Sequence, residues 1–273
     1  MKKKIIYIGT SYTIIDAINS YSKFELQTIV CEKKRVSKEH EKRVKQYNLN
    51  LITFESKIEF ISLFDKREEE IALIYQLDLI VPHELTSKFK MFNFHSGSVK
   101  TNRGAHPLLR TILNNEVNSE FTLHKINKHI DQGVLISKFN VEVGYSDDVN
   151  DIKHKMENGF ENMFDDLISH LNGNLPVQEI QGGKYYKPIC INDYTIDVFN
   201  DSITKIKNKI RSQKLYNGAI LNDKNRRYFV SELIEKKNTA GKICNLKIID
   251  NIAFIERADI SFTLKLKKCN DVD

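Results

Sequence analysis

Met91-Phe92-Asn93-Phe94-His95-Ser96-Gly97 is a short apolar run with polar side chains at alternate positions, and it breaks at a glycine. Residues two apart on a strand project to the same side. The run therefore predicts a buried strand over 91–95 that presents an amide, Asn93, and an imidazole, His95, together where the chain turns into a loop. Towards the N-terminus, residues 71–75 read as another buried strand. Lys4-Ile5-Ile6-Tyr7-Ile8, ended by Gly9, reads as the first strand; its apolar part stops too early for a secretion signal, and no small-residue cleavage site follows. Ile14, Ile15 and Ile18 then recur at helical spacing, and 26–31 returns to strand character, giving a β-α-β opening. A helical pattern over 39–47, a strand over 51–54 and the capping-box sequence Ser56-Lys57-Ile58-Glu59 at the head of a helix complete the stretch before residue 71.

Towards the C-terminus the pattern predicts a helix over 107–113 and alternating segments over 120–126 and 134–143. One long helix to about residue 171 should follow, capped by Asp147 or Asp148, with Ile152, Met156, Phe160, Met163, Phe164 and Leu167 along one side. Strands alternating with helices specify an α/β fold with a doubly wound, mostly parallel sheet. After Gly182-Gly183 the pattern changes to one amphipathic helix (Ile203, Ile206, Ile210) and several short strands. The expected division is a catalytic domain over 1–182 and a small, mainly β appendix over 183–273, with 269–273 frayed.

The 273 residues are 41% hydrophobic, enough to bury such a core, and 29% charged. No apolar run is long enough to cross a bilayer, so no membrane partner is expected. Cys31, Cys190, Cys244 and Cys269 are scattered, which fits neither a zinc site nor a disulfide framework; no metal and a reducing cytoplasm are expected. The net charge of +6 is uneven: residues 191–273 carry 16 Lys and Arg against 11 Asp and Glu, leaving 26 against 25 in residues 1–190. A basic tail suits a phosphate-bearing partner. Gly9 stands alone where a dinucleotide fingerprint would need G-x-G-x-x-G, and neither a phosphate-loop nor a G-x-S-x-G motif occurs.

In open α/β sheets ligands gather beyond the carboxyl ends of the strands, where Asn93 and His95 lie. Asp131-Gln132-Gly133 adds a carboxylate. Amide, imidazole and carboxylate are the groups needed to move an acyl group between nitrogens without a covalent enzyme intermediate. Attack on a formyl carbon creates an oxyanion that Asn93 and protonated His95 would hydrogen-bond. Asp131 would keep His95 charged and help remove the proton of the attacking amine. Singly, these residues also suit a strand end, a satisfied histidine and a hairpin turn; their combination carries the chemistry. His83, His106, His124 and His129 are read as surface or core histidines.

Asn93-x-His95, Arg103-Gly104-x-x-Pro107 and Asp131-x-Gly133, with 36 residues from His95 to Asp131, resemble the signature of the 10-formyltetrahydrofolate-dependent formyltransferases. That family includes glycinamide ribonucleotide transformylase, methionyl-tRNA formyltransferase and the nucleotide-sugar N-formyltransferases. The resemblance covers residues 1–175 and is strongest over 75–143. It implies the formyltransferase fold, catalysis by Asn93, His95 and Asp131, and 10-formyltetrahydrofolate as formyl donor, its pterin against Leu77, Leu79, Ile80 and Val81.

The C-terminal appendix argues against glycinamide ribonucleotide as acceptor. The insertion that methionyl-tRNA formyltransferases carry after their second strand is missing at Cys31-Glu32-Lys33-Lys34-Arg35-Val36. Tyr185-Tyr186-Lys187-Pro188 and the helix after it resemble the lead into the C-terminal part of nucleotide-sugar N-formyltransferases. The implied acceptor is the amine of a nucleotide-linked amino-deoxysugar for a bacterial surface polysaccharide. Arg103, Lys184 and Lys187 would lie near its diphosphate, and Tyr185 or Tyr186 near its base. Methionyl-tRNA formyltransferase is the alternative within the family, and a nucleic-acid binding module without catalysis the alternative of another class. Nucleic acid is otherwise not an expected partner, and a homodimer is compatible with the reading.

Overall fold

The computed structural model describes residues 2–65, 71–176, 178–224, 226–238 and 244–268. The frayed end expected over 269–273 lies outside the described residues. The chain opens as β1 (Lys3–Gly9), α1 (Thr13–Ser20), β2 (Phe24–Glu32), α2 (Lys38–Tyr47), β3 (Asn50–Phe54), α3 (Lys57–Ser62), β4 (Ile71–Tyr75), α4 (His83–Lys88) and β5 (Lys90–His95). These strands pair in parallel in the order β3-β2-β1-β4-β5. A parallel sheet covered on both faces needs continuous apolar runs rather than alternation, which explains the unbroken burial of Ile5 to Ile8 and of Ile71 to Tyr75. α1 turns Ile14, Ile15 and Ile18 into the core, while its Asp16 pairs with Arg43 of α2. At α3 the Ser56 hydroxyl accepts from the Glu59 N–H, whereas the Glu59 carboxylate reaches the Glu55 N–H, one residue short of a closed capping box.

The chain continues through β6 (Arg103–Gly104), α5 (Pro107–Leu113), β7 (Asn118–Lys125), β8 (Val134–Glu142), α6 (Val149–Glu157), α7 (Phe160–Leu171) and β9 (Gln178–Glu179), and the sheet grows with β7, β8 and β9. Its order is β3-β2-β1-β4-β5-β7-β8-β9, with β7 antiparallel to β5 and β9 antiparallel to β8; β6 stands outside it. The long helix expected up to residue 171 is two helices. Asp148 caps the first, accepting from the Asn150 and Asp151 N–H groups. The chain breaks at Gly159, where an added Cβ would lie 2.5 Å from the Phe139 ring. The apolar stripe survives the break, from Ile152 to Leu167.

The remainder is β10 (Tyr185–Tyr186), α8 (Ile191–Tyr194), β11 (Thr195–Ile196), α9 (Ile203–Ser212), β12 (Ala219–Asp223), β13 (Arg226–Asn238), β14 (Asn245–Ile249), β15 (Ile252–Glu256) and β16 (Ile260–Lys268). β10 pairs with β6 in parallel, and the rest form a six-stranded sheet, β11-β12-β13-β16-β15-β14. The mainly β C-terminal part is thus as expected. Its core joins Ile206 and Ile210 of α9 to Val230, Ala253 and Leu264 of the sheet.

The chain divides into two compact units. One comprises the residues up to Pro107 with Ser119–Val141 and His154–Tyr186; the other comprises Leu108–Asn118, Glu142–Lys153 and the chain from Lys187 onward. The second unit includes two early segments that the composition shift at Gly182-Gly183 does not signal. No helix among the described residues is long and apolar enough to cross a membrane.

Candidate active site

The antiparallel register of β5 and β7 sets Asn93 opposite His124 and His95 opposite Thr122. Cross-strand partners share a face, so all four side chains project to one side of the sheet at the end of β5. Asp131 comes from the loop joining β7 to β8. Its φ of 51° is in the left-handed region, which Asp tolerates better than most residues. Two residues on, an added Cβ on Gly133 would lie 1.6 Å from the Lys125 carbonyl oxygen. Only glycine lets the loop close this tightly and return the carboxylate to the strands.

Asp131 Oδ2 lies 3.6 Å from His95 Nδ1, and its Oδ1 lies 3.3 Å from His124 Nε2. The Gly104 N–H donates to Oδ2 at 2.8 Å. Asn93 Nδ2 is 3.4 Å from His124 Nε2. His95 Nε2 is 2.7 Å from the Asn102 carbonyl oxygen, a pure acceptor, so this nitrogen carries a hydrogen. Thr122 donates to the Gly97 carbonyl, which steadies the loop after β5. His95, His124 and Asp131 are buried, while Asn93 is half-buried.

Burial alone would raise the Asp131 pKa, but His95, His124 and the Gly104 N–H outweigh it and hold the carboxyl well below its ordinary range. Asp131 is therefore ionised at neutral pH. For His95 burial is the largest influence and lowers its pKa; Asp131 and the Asn102 carbonyl pull upward without overcoming it. The resting imidazole is thus neutral, and the expectation that Asp131 holds it charged gives way to the cost of charging a buried ring.

The other candidate residues are placed as follows. Leu77, Leu79 and Val81 are half-buried against the core that contains Ile74 and Leu85, while Ile80 is 68% exposed. Arg103 is buried, its guanidinium donating to the Gly182 carbonyl and its N–H to the Lys184 carbonyl. Tyr185 is 46% exposed, its ring beside Gly104. Gly104 has a φ of 93°, and an added Cβ there would lie 2.3 Å from the Tyr186 carbonyl oxygen. Lys184 Nζ lies over the Tyr186 ring, 4.7 Å from its centroid. Lys187, in the second unit, is exposed, and its carbonyl accepts from Arg110. The structure thus brings Asn93, His95 and Asp131 together and adds His124. The signal for His124 was its two-residue spacing from Thr122 on a predicted strand, which the sequence could not pair with β5. Among the described residues no group of His, Cys, Asp and Glu is arranged to hold a metal ion.

No family model matches the chain. The methionyl-tRNA formyltransferase of Caldicellulosiruptor saccharolyticus is 21% identical over 228 residues, covering 81% of this chain and 71% of that protein. An N-formyltransferase from Helicobacter canadensis, solved with folinic acid and dTDP-3-aminofucose, gives a TM-score of 0.70 at 19% identity, covering 97% of this chain and 99% of that one. A sugar 3N-formyltransferase solved in the presence of dTDP and 5-N-formyl-THF gives 0.69 at 20% identity and covers 100% of both chains. The resemblance read from the sequence is borne out: the fold is that of the formyltransferases.

Proposed function

We propose, from a fold shared with the folate-dependent formyltransferases, that this protein moves a formyl group from 10-formyltetrahydrofolate to the amine of a nucleotide-linked amino-deoxysugar, for a bacterial surface polysaccharide. The observation that carries the reading is the cluster of Asn93, His95 and Asp131 at the end of β5, closed by the Gly104 N–H. The donor supplies the formyl group as an amide of its N10. The apolar segment from Leu77 to Val81, with Ile80 exposed at the carboxyl side of β4, suits one face of a flat ring.

A bond forms between the acceptor nitrogen and the formyl carbon, and the bond from that carbon to N10 breaks. Asn93 meets the formyl oxygen as it gains negative charge, an interaction whose removal typically costs roughly 10²–10³ in turnover. Neutral His95, beside ionised Asp131, takes the proton released by the attacking nitrogen and returns it to the departing one. Asp131, 3.6 Å from Nδ1, stabilises the imidazolium while it exists.

The likeness to enzymes crystallised with dTDP or a dTDP-sugar runs nearly the full length of both chains, C-terminal sheet included, and supports a sugar acceptor. Exposed Lys184 and Tyr185 are the proposed contacts for its diphosphate and base. The curated relatives favour a second reading, with methionyl-tRNA as acceptor. The test is incubation with 10-formyltetrahydrofolate and a panel of nucleotide-linked amino sugars, charged initiator tRNA and glycinamide ribonucleotide, followed by mass spectrometry. A formylated nucleotide sugar is expected. Formylation of the tRNA alone would transfer the assignment to the second reading, and no formylated acceptor would remove both.

A further inference from the structure

We propose that His124 is a positioning residue: an Nε2–H shared by Asp131 and Asn93 fixes which end of the Asn93 amide faces the reacting formyl group. The inference rests on the formyl-transfer reading and deepens it. His124 Nε2 is 3.3 Å from Asp131 Oδ1 and 3.4 Å from the end of the Asn93 amide placed as Nδ2, and the proposed orientation exchanges the two ends of that amide. Its Nδ1 is 3.4 Å from the Lys125 carbonyl oxygen. Both ring nitrogens therefore face acceptors.

A neutral imidazole has one hydrogen to place. A hydrogen bond to an ionised acceptor is roughly twice as strong as one to a neutral acceptor, so the hydrogen sits on Nε2 and points at the carboxylate. A doubly protonated ring would carry a hydrogen on Nε2 as well. In either case Nε2 has no lone pair to offer Asn93, and the amide atom facing it must be the oxygen. The two ends of an amide have the same shape and are told apart by their partners. The Asn93 oxygen therefore turns towards His124, and the NH₂ turns away from it, as the half-buried position of Asn93 allows, to where a formyl oxygen would gain charge. Without the Nε2–H, either end of the amide could face the substrate, and one of the two would set an oxygen against the developing anion.

The first arm of the test needs no acceptor. A long-range proton–nitrogen correlation spectrum of the ¹⁵N-labelled protein reads which ring nitrogen carries hydrogen, with His124 identified by the signals lost in His124→Gln. A protonated Nε2 is expected; hydrogen on Nδ1 alone overturns the proposal. The second arm compares His124→Gln, which keeps a donor near the Nε2 position, with His124→Phe, which keeps ring bulk and no donor. For transfer to the acceptor found by mass spectrometry, His124→Phe should lose roughly 10–10² in kcat with little change in KM for 10-formyltetrahydrofolate, and His124→Gln should recover most of it. Equal losses in the two variants, or none in either, overturn the assignment. A wild-type protein that formylates nothing removes the transfer reading instead and leaves the ring spectrum to decide the hydrogen on His124 by itself.

Discussion

Asp131 decides how the cluster is best tested. Its left-handed backbone suits Asn almost as well as Asp, so Asp131→Asn removes the charge without adding strain, whereas Asp131→Ala does both. We expect Asp131→Asn to fold normally by circular dichroism and to lose roughly 10²–10⁴ in kcat, the scale of acid–base assistance; activity within a few-fold of wild type would exclude its role. The same variant reads the electrostatics of His95. Burial lowers the His95 pKa and the Asp131 charge raises it. Followed by NMR, the His95 ring should therefore titrate below the ordinary imidazole value of about 6.5, and lower still in Asp131→Asn. A midpoint that rises in the variant would contradict this sign. Asn93 and His95 were legible because alternation on an apolar strand places them side by side, and Asp131 because its distance from them fits a known motif. His124 lies on an equally visible strand, but its role depends on an antiparallel register between β5 and β7 that no local pattern encodes.

The elements that aim these side chains are short and depend on close approaches. Gly133→Ala would put a Cβ 1.6 Å from the Lys125 carbonyl oxygen, so the loop from β7 to β8 must shift. We expect a cost of about 1–3 kcal/mol, the range for overpacking, read by urea denaturation. Turnover should fall in the folded protein because Asp131 moves with the loop; unchanged stability and turnover would show that the loop tolerates the group. Close approach also explains the error at this scale. The apolar stripe passes from Met156 to Phe160 at helical spacing, so the sequence reads as one helix, and only the Phe139 ring pressed on Gly159 reveals the break. The two-residue strands β6 and β10 left no periodicity to read, yet they bind the loop that holds Gly104.

At the scale of the whole chain, helices with a mostly parallel sheet and then a mainly β C-terminal part follow from unbroken apolar runs in one region and short alternating ones in the other. What composition cannot reveal is that Leu108–Asn118 and Glu142–Lys153 belong to the second unit, since that depends on contacts distant in sequence. Within that unit Asp201 accepts from buried Lys209 at 2.6 Å and pairs with Lys205. Lys209→Ala should destabilise the unit by about 1–3 kcal/mol, because Asp201 loses its buried partner but keeps Lys205 and the Asp197 N–H. Burial would raise the Asp201 pKa, but the two lysines hold it below its ordinary value. Its contribution is therefore present above about pH 4 and lost as pH falls through the lower native value, so variant and wild type should converge in acid denaturation. A gap that stays constant down to the most acidic conditions would count against the ion pair.

The tether between Arg103 and Gly182 joins residues 79 positions apart, and this has a bearing on biosynthesis. A nascent chain that has released Asn93, His95 and Asp131 from the ribosome still lacks the strand that clamps the segment around Gly104, so the surroundings of this cluster are completed late in translation. Arrested chains ending before residue 182 should leave that segment open to protease, and longer ones should protect it once Tyr186 has emerged.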